Sequence, residues 1–218
     1  MSADELLIAR HGQAWCNTDQ TIGGPTSCRG LTPTGHRQAA QLAARLASEH
    51  IIKPFTALYA SPLPRAQQTA TAVATALRLP VTTVDDLREP DYGAADGQRW
   101  TDVIAAFGAA PTLHPDRPIA AGAESALAHL ARARTALSDM LQAHPGGRIL
   151  AVGHGETITA AHHLFLDIEP GRILPLAFTV DQASITTWRQ QPVSWLRPDD
   201  GLRWALHRHN DIAHLTSP

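Results

Sequence analysis

The sequence predicts an α/β fold built around a parallel sheet, and three observations carry that prediction. An apolar run, Leu6–Ala9, lies close to the start of the chain, and a second, Ile149–Val152, lies far along it. Between them, helix-length segments repeat apolar residues at intervals of three and four. Short continuous apolar runs suit strands that are covered on both faces, as parallel strands are. Each run ends in a histidine followed by glycine, His11-Gly12 and His154-Gly155. Ligands of open α/β sheets gather at the carboxyl edge of the strands, which makes the two imidazoles the first candidates for chemistry.

The elements follow in order. After Leu6–Ala9, residues 15–31 read as a long polar loop, too irregular for helix and carrying Gly23-Gly24-Pro25. Thr32-Pro33 is an N-cap followed by proline at the first helical position, and Ala39, Leu42, Ala43 and Leu46 share one face of a helix ending near His50. Residues 55–60 form a second strand. Ser61-Pro62-Leu63-Pro64-Arg65 leads from it into a helix that buries Ala66, Ala70, Val73 and Leu77. Arg65 therefore lies in the first turn of a helix, where the dipole disfavours a cation unless an anion binds there.

Residues 81–84 read as a short strand, and residues 85–93 as an acidic loop containing Glu89, Asp91 and Tyr92. A helix over 99–108 precedes a Pro/Ala/Gly stretch, 108–121, read as a flap. A long helix over 122–143 repeats Leu127, Leu130, Leu137 and Leu141, and Pro145-Gly146-Gly147 ends it. The second buried strand, from Arg148, gives way to a helix over 156–165. From Ile173 onward the pattern predicts two or three edge strands with a turn at Asp199-Asp200-Gly201.

Bulk properties narrow the partners. The 218 residues suffice for one substantial core, so 1–218 is read as a single domain. The net charge of −2, without a basic run, gives no electrostatic footprint for nucleic acid or an anionic membrane. No segment approaches the ~20 apolar residues that cross a bilayer, and Met1–Glu5 lacks the basic start of a leader. Cys16 and Cys28 fit a reducing compartment, so a cytoplasmic location is expected. Of the twelve histidines, only His162-His163 and His207/His209/His214 cluster, without metal-ligand spacing; no metal and no cofactor is expected. Edge strands near the C-terminus are compatible with a homodimer.

If the two histidine-bearing strands are neighbours, their imidazoles meet across a small gap, with Arg10 and Arg65 close by. Two guanidiniums and a histidine around one imidazole suit a tetrahedral dianion. The imidazole left facing the phosphorus is a competent nucleophile at neutral pH.

Five ordered blocks then bear a resemblance. Arg10-His11-Gly12 with Asn17, Ser61-Pro62-Leu63-x-Arg65-Ala66-x-x-Thr69, Glu89-x-x-Tyr92-Gly93, Gly122-x-Glu124-Ser125 and Val152-Gly153-His154-Gly155 resemble the histidine phosphatase superfamily, in its phosphoglycerate mutase-like branch. Asn210 near the C-terminus continues the series. The resemblance implies a three-layer α/β/α sandwich around a mostly parallel sheet. It implies that His11 becomes phosphohistidine, that Arg10, Arg65 and His154 cradle the phosphate, and that Glu89 exchanges the proton with the leaving alkoxide and then with water. Asn17, Gln13, Gly24, Tyr92 and Gly155 are the accompanying substrate-binding candidates.

The acid phosphatase branch fits less well, because its second histidine precedes aspartate where this chain has Gly155. Gln13 replaces a common carboxylate, and Trp15 stands one place early. Mutases of the family carry a lysine and an arginine pair for a second phosphate, whereas residues 99–121 offer only Arg99 and Arg117. The expected activity is hydrolysis of a small soluble phosphate ester. The alternatives are a cofactor-dependent phosphoglycerate mutase, a sugar-bisphosphate phosphatase, or a non-catalytic binding member.

Overall fold

The computed structural model describes residues 3–215. Met1 and Ser2, part of the stretch from which no leader is expected, lie outside the described residues, as do 216–218. One six-stranded sheet organises the chain, and its strands stand in the order β3-β2-β4-β1-β5-β6. The strands are β1 (Glu5–Arg10), β2 (Ala57–Ala60), β3 (Val81–Thr83), β4 (Arg148–Gly153), β5 (Ile185–Pro192) and β6 (Leu202–Asp211). β1, β4, β2 and β3 run parallel, and β5 and β6 join antiparallel.

The two apolar runs are the central pair. Along β1 successive residues point to opposite faces. Leu6 and Ile8 pack with Ile149, Ala151 and Trp188 against α5 (Ala126–Gln142) and α6 (Gly155–Phe165). Leu7 and Ala9 pack with Leu150 and Val152 against α2 (Pro33–Ile52) and α3 (Pro64–Leu77). Both faces are thus covered, giving three layers, as the continuous hydrophobicity requires. Each fully buried leucine in these layers contributes about 1.5–3 kcal/mol relative to exposure. Thr32 caps α2 by accepting from the Gly35 N–H at 3.0 Å, and Ser125 caps α5 by accepting from Ala128 at 3.2 Å.

Three expectations need correction. The 15–31 loop contains a helix, α1 (Trp15–Asp19), five residues long and held at its start by Asn17 Oδ1 accepting from the Ala14 N–H at 2.9 Å. The long helix begins at Ala126 rather than Gly122, because Gly122 turns the chain at φ +72° and Ser125 supplies the cap. The C-terminal segment gives two strands, and β5 lies inside the sheet between β1 and β6, so that β6 alone of this pair is an edge. The expected helix over 99–108 is α4 (Trp100–Phe107). Residues 108–121 hold one short 3₁₀ turn, Pro111–Leu113, with the Arg117 guanidinium 3.9 Å over the Phe107 ring.

Strand register brings the two histidines together. Arg10 pairs with Gly153, so the next residues, His11 and His154, emerge side by side from the same end of the central pair.

Candidate active site

The His11 N–H donates to the Gly153 carbonyl at 2.9 Å, carrying the ladder one residue past β1. Beyond it the chain must turn under α2. A Cβ on Gly12 would sit 2.5 Å from the Gly35 carbonyl oxygen, so no larger residue fits there without displacing backbone. The Gly12 N–H donates to Thr69 Oγ1 at 3.1 Å, and Thr69 donates to the Arg65 carbonyl at 2.8 Å. One hydroxyl therefore ties the histidine loop to the first turns of α3, where Arg65 sits.

Arg65 is buried, and its Nε donates to His11 Nε2 at 3.1 Å. A guanidinium N–H can only donate, so His11 Nε2 must carry a lone pair. The ring proton then lies on Nδ1, which is 2.7 Å from the Gly12 carbonyl oxygen and donates to it. Burial first, and the Arg65 charge second, hold the His11 pKa well below the ordinary histidine value. The result is a neutral imidazole with its bare nitrogen pointed at a cation. Arg65 Nη1 is anchored by the Gly23 carbonyl at 2.6 Å and reaches Cys28 Sγ at 3.3 Å. Burial pulls the Arg65 pKa down, but surrounding negative charge, Glu89 foremost, leaves it above the ordinary arginine value.

His154 faces His11 with ring centroids 5.2 Å apart and planes at 64°. Its Nε2 is 2.7 Å from Ser61 Oγ, and its Nδ1 lies 3.6 Å from Glu89 Oε1. Burial, then Arg65 and His11, keep it neutral by lowering its pKa well below the usual range. Glu89 also accepts from the Tyr92 hydroxyl at 3.0 Å through Oε2. Arg10 donates from Nη1 to the Val180 carbonyl, while its buried Nε has no partner among the described residues. Asn210 secures that neighbouring segment, with Oδ1 accepting from the Asp181 N–H at 2.7 Å and Nδ2 donating to its carboxylate at 2.8 Å.

Of the sequence candidates, His11, Arg65, His154 and Glu89 are linked by these contacts, and Tyr92 joins through Glu89. The others have local duties. Gln13 Oε1 accepts from Thr32 Oγ1 at 2.8 Å, and Asn17 caps α1. The Gly24 N–H donates to Asp96 Oδ1 at 2.8 Å, which shapes the loop beside Arg65. Gly155 opens α6, with open space where a Cβ would be. Sequence reasoning missed Glu156, one residue further on. Its side chain is exposed to solvent along a cavity that it lines, and crowding by the surrounding protein, with Glu89 nearby, pushes its pKa up to about 7. A lone acid in the first turn of the helix after His154 was the available signal. Among the described residues no group of three or more His, Cys, Asp or Glu side chains is arranged to hold a metal ion.

The arrangement gathers a bare imidazole nitrogen, two guanidiniums, a second imidazole and one carboxyl within electrostatic reach of one another. That set can neutralise an oxyanion and exchange a proton at its edge. Among known proteins, the family model described as histidine phosphatase superfamily (branch 1) matches residues 6–197. Phosphoglycerate mutase-like protein 4 of Arabidopsis thaliana is 30% identical over 216 residues, covering 97% of this chain and 86% of that protein. A metal-independent phosphoserine phosphatase of the same plant is 29% identical over 219 residues, covering 98% and 84%. In structure, a mycobacterial glucosyl-3-phosphoglycerate phosphatase superposes with TM-score 0.78 at 23% identity, covering 95% of this chain and 99% of that one. A phosphoserine phosphatase of Entamoeba histolytica superposes with TM-score 0.75 at 24% identity, covering 97% and 98%.

Proposed function

Because the chain belongs to branch 1 of the histidine phosphatase superfamily, we propose that it hydrolyses phosphate monoesters through a phosphohistidine on His11. One observation carries the reading: the His11 Nε2 lone pair, oriented by the Nδ1–Gly12 bond, lies 3.1 Å from the Arg65 Nε. A phosphoryl oxygen entering the site takes over the guanidinium, and the freed lone pair is left facing phosphorus.

Nε2 attacks, the P–O ester bond breaks, and the leaving alkoxide takes a proton from the Glu89 carboxyl. The Nδ1 proton stays on the ring, shared with the Gly12 carbonyl, and stabilises the phosphoimidazolium. The Glu89 carboxylate then removes a proton from water, whose oxygen attacks the phosphohistidine and releases phosphate. Arg10 and Arg65 supply the charge neutralisation that a loose phosphoryl transition state needs, and the neutral His154 adds a hydrogen bond, which supports a metal-independent reaction. A mutase would hold a second phosphate beyond Glu89. Arg99 stands at the exposed start of α4 and Arg117 lies over Phe107, so neither arginine supports that alternative.

The test is quenched-flow trapping with a radiolabelled aryl phosphate in the presence of chelator. An acid-labile, base-stable phosphoenzyme in the wild type, lost in His11→Ala together with turnover, is the expected result. A His11→Ala protein with near-normal rate, or a chelator-abolished rate, defeats the proposal.

A further inference from the structure

A cavity of about 440 Å³, within the size range that receives a small organic group, is lined by Tyr92, whose hydroxyl donates to Glu89 at 3.0 Å. The cavity and the candidate active site share segments. Pro90 and Tyr92 in the cavity wall flank the Glu89 loop, and Glu156 is two residues past His154. One side of the wall is apolar: Trp100 stands edge-on to Tyr92 with centroids 5.6 Å apart, and Ile104 and Leu127 belong to the same lining. An alcohol whose oxygen takes the Glu89 proton therefore has its body directed along these side chains.

The titratable groups in the wall decide the charge it accepts. Glu124 is engaged by Arg132 through two bonds of 2.7 and 2.8 Å. His129 is uncharged at neutral pH, its pKa pulled down to about 4 by burial and by Arg132, and burial lowers His163 as well. Arg172, the remaining cation of the lining, is exposed. Glu156 has no cationic partner within ion-pair distance among the described residues, and a ligand carboxylate beside it meets a second acid group that is partly ionised at neutral pH.

We infer that the substrates are phosphate esters of uncharged, largely apolar alcohols with a ring-sized or branched body, discriminated from carboxylate-bearing esters by the wall of Tyr92, Trp100, Ile104 and Leu127 together with Glu156. The inference rests on the phosphatase reading above, and it narrows the substrate class of that site. Both halves of the selection are physical. Apolar surface leaves water on entering the wall, whereas an anion entering the same space loses hydration and gains in return at most the solvent-exposed Arg172.

The test uses the full chain and four alkyl esters of similar leaving-group chemistry: 2-phenylethyl phosphate, glycerol 2-phosphate, 3-phosphoglycerate and phosphoserine. The expected result is kcat/KM at least tenfold higher for 2-phenylethyl phosphate than for either carboxylate-bearing ester. Ile104→Asn and Leu127→Asn, both at half-buried positions, should raise KM for 2-phenylethyl phosphate severalfold, with a smaller effect on glycerol 2-phosphate. Glu156→Gln should narrow the gap by improving the carboxylate-bearing esters. A carboxylate-bearing ester equal to or better than 2-phenylethyl phosphate overturns the inference while leaving the phosphatase reading intact. If neither these esters nor an aryl phosphate turn over, the phosphatase reading falls and takes the inference with it.

Discussion

Arg65 and His11 hold each other in register: a permanently charged donor 3.1 Å from a neutral acceptor fixes which nitrogen of the imidazole is bare. Their segments are 54 residues apart in the chain, and the Thr69 hydroxyl keeps the distance by bonding both backbones. In the proposed reaction the guanidinium that orients His11 is also a partner for the entering phosphoryl oxygen.

Arg65→Lys is therefore not a conservative change. An ammonium cannot hold His11, the Gly23 carbonyl and an oxyanion in one plane. The expected cost is about 10²–10³ in kcat/KM for p-nitrophenyl phosphate, in line with loss of one preorganised oxyanion donor. Vanadate should also stop raising the melting temperature, since ligand stabilisation follows the lost affinity. A lysine variant within threefold of wild type on both measurements would show that Arg65 is a packing residue.

The neutral His11 makes a pH prediction whose sign follows from burial. Burial and the Arg65 charge both disfavour the imidazolium, so the folded pKa lies below the unfolded one. His11 should remain uncharged at pH 5.5, with its proton on Nδ1, as read by long-range ¹H–¹⁵N correlation spectra. Below about pH 6.5 the unfolded chain binds protons that buried His11 and His154 refuse. Unliganded stability should thus decline as pH falls from 7 to 5. A protonated His11 at pH 5.5 would remove the basis for its nucleophilic role.

In the proposed reaction Glu89 supplies a proton only where the leaving group needs one. Glu89→Gln should slow alkyl esters by at least tenfold more than nitrophenyl esters, whose leaving oxygen departs as a stable anion. Tyr92→Phe removes the hydrogen bond that positions Oε2 and should give a weaker version of the same pattern. Equal losses across leaving groups in Glu89→Gln would transfer the proton donor's role to another acid, with Glu156 the first alternative on the cavity side.

Much of this frame was legible because β1 and β4 are apolar on both faces and each stops at His-Gly. The neighbour relation between them was not, since strand order depends on which crossovers pack, and β4, fourth in the chain, lies between β1 and β2. The helix α1 carries no apolar periodicity, and Asn17 makes it by capping, a signal too short to separate from loop. β5 mixes Thr186, Thr187, Arg189, Gln190 and Gln191 with only two large apolar residues, Ile185 and Trp188, and so resembles an edge, yet its threonines are buried beside β1. Backbone carbonyls such as Gly23 and Val180, which anchor Arg65 and Arg10, leave no trace in side-chain identity.

At the opposite end of the same strands the charges serve stability. Glu5 and Arg148 start β1 and β4, and Arg148 bonds Glu5 at 3.1 Å and Glu49 at 2.6 Å. Arg208 and Arg45 reach Glu49 at 2.8 and 2.9 Å. Burial works to raise the Glu49 pKa, but the three arginines outweigh it and hold the value at about 2, against an ordinary 4.5. A depressed carboxylate pKa contributes stability above the unfolded value and loses it as pH falls through the folded one. The upper bound is ~3 kcal/mol, from ~1.4 kcal/mol per unit, and the real share is smaller because the arginines also bond to each other's partners. Glu49→Gln should unfold at lower urea concentration at pH 7, by about 1–3 kcal/mol, with p-nitrophenyl phosphate turnover unchanged because the network lies at the strand starts. The gap between variant and wild type should close between pH 4.5 and pH 2, as the wild-type carboxylate takes up its proton. A gap that persists undiminished at pH 2 would mean that packing, not charge, is what Glu49 contributes.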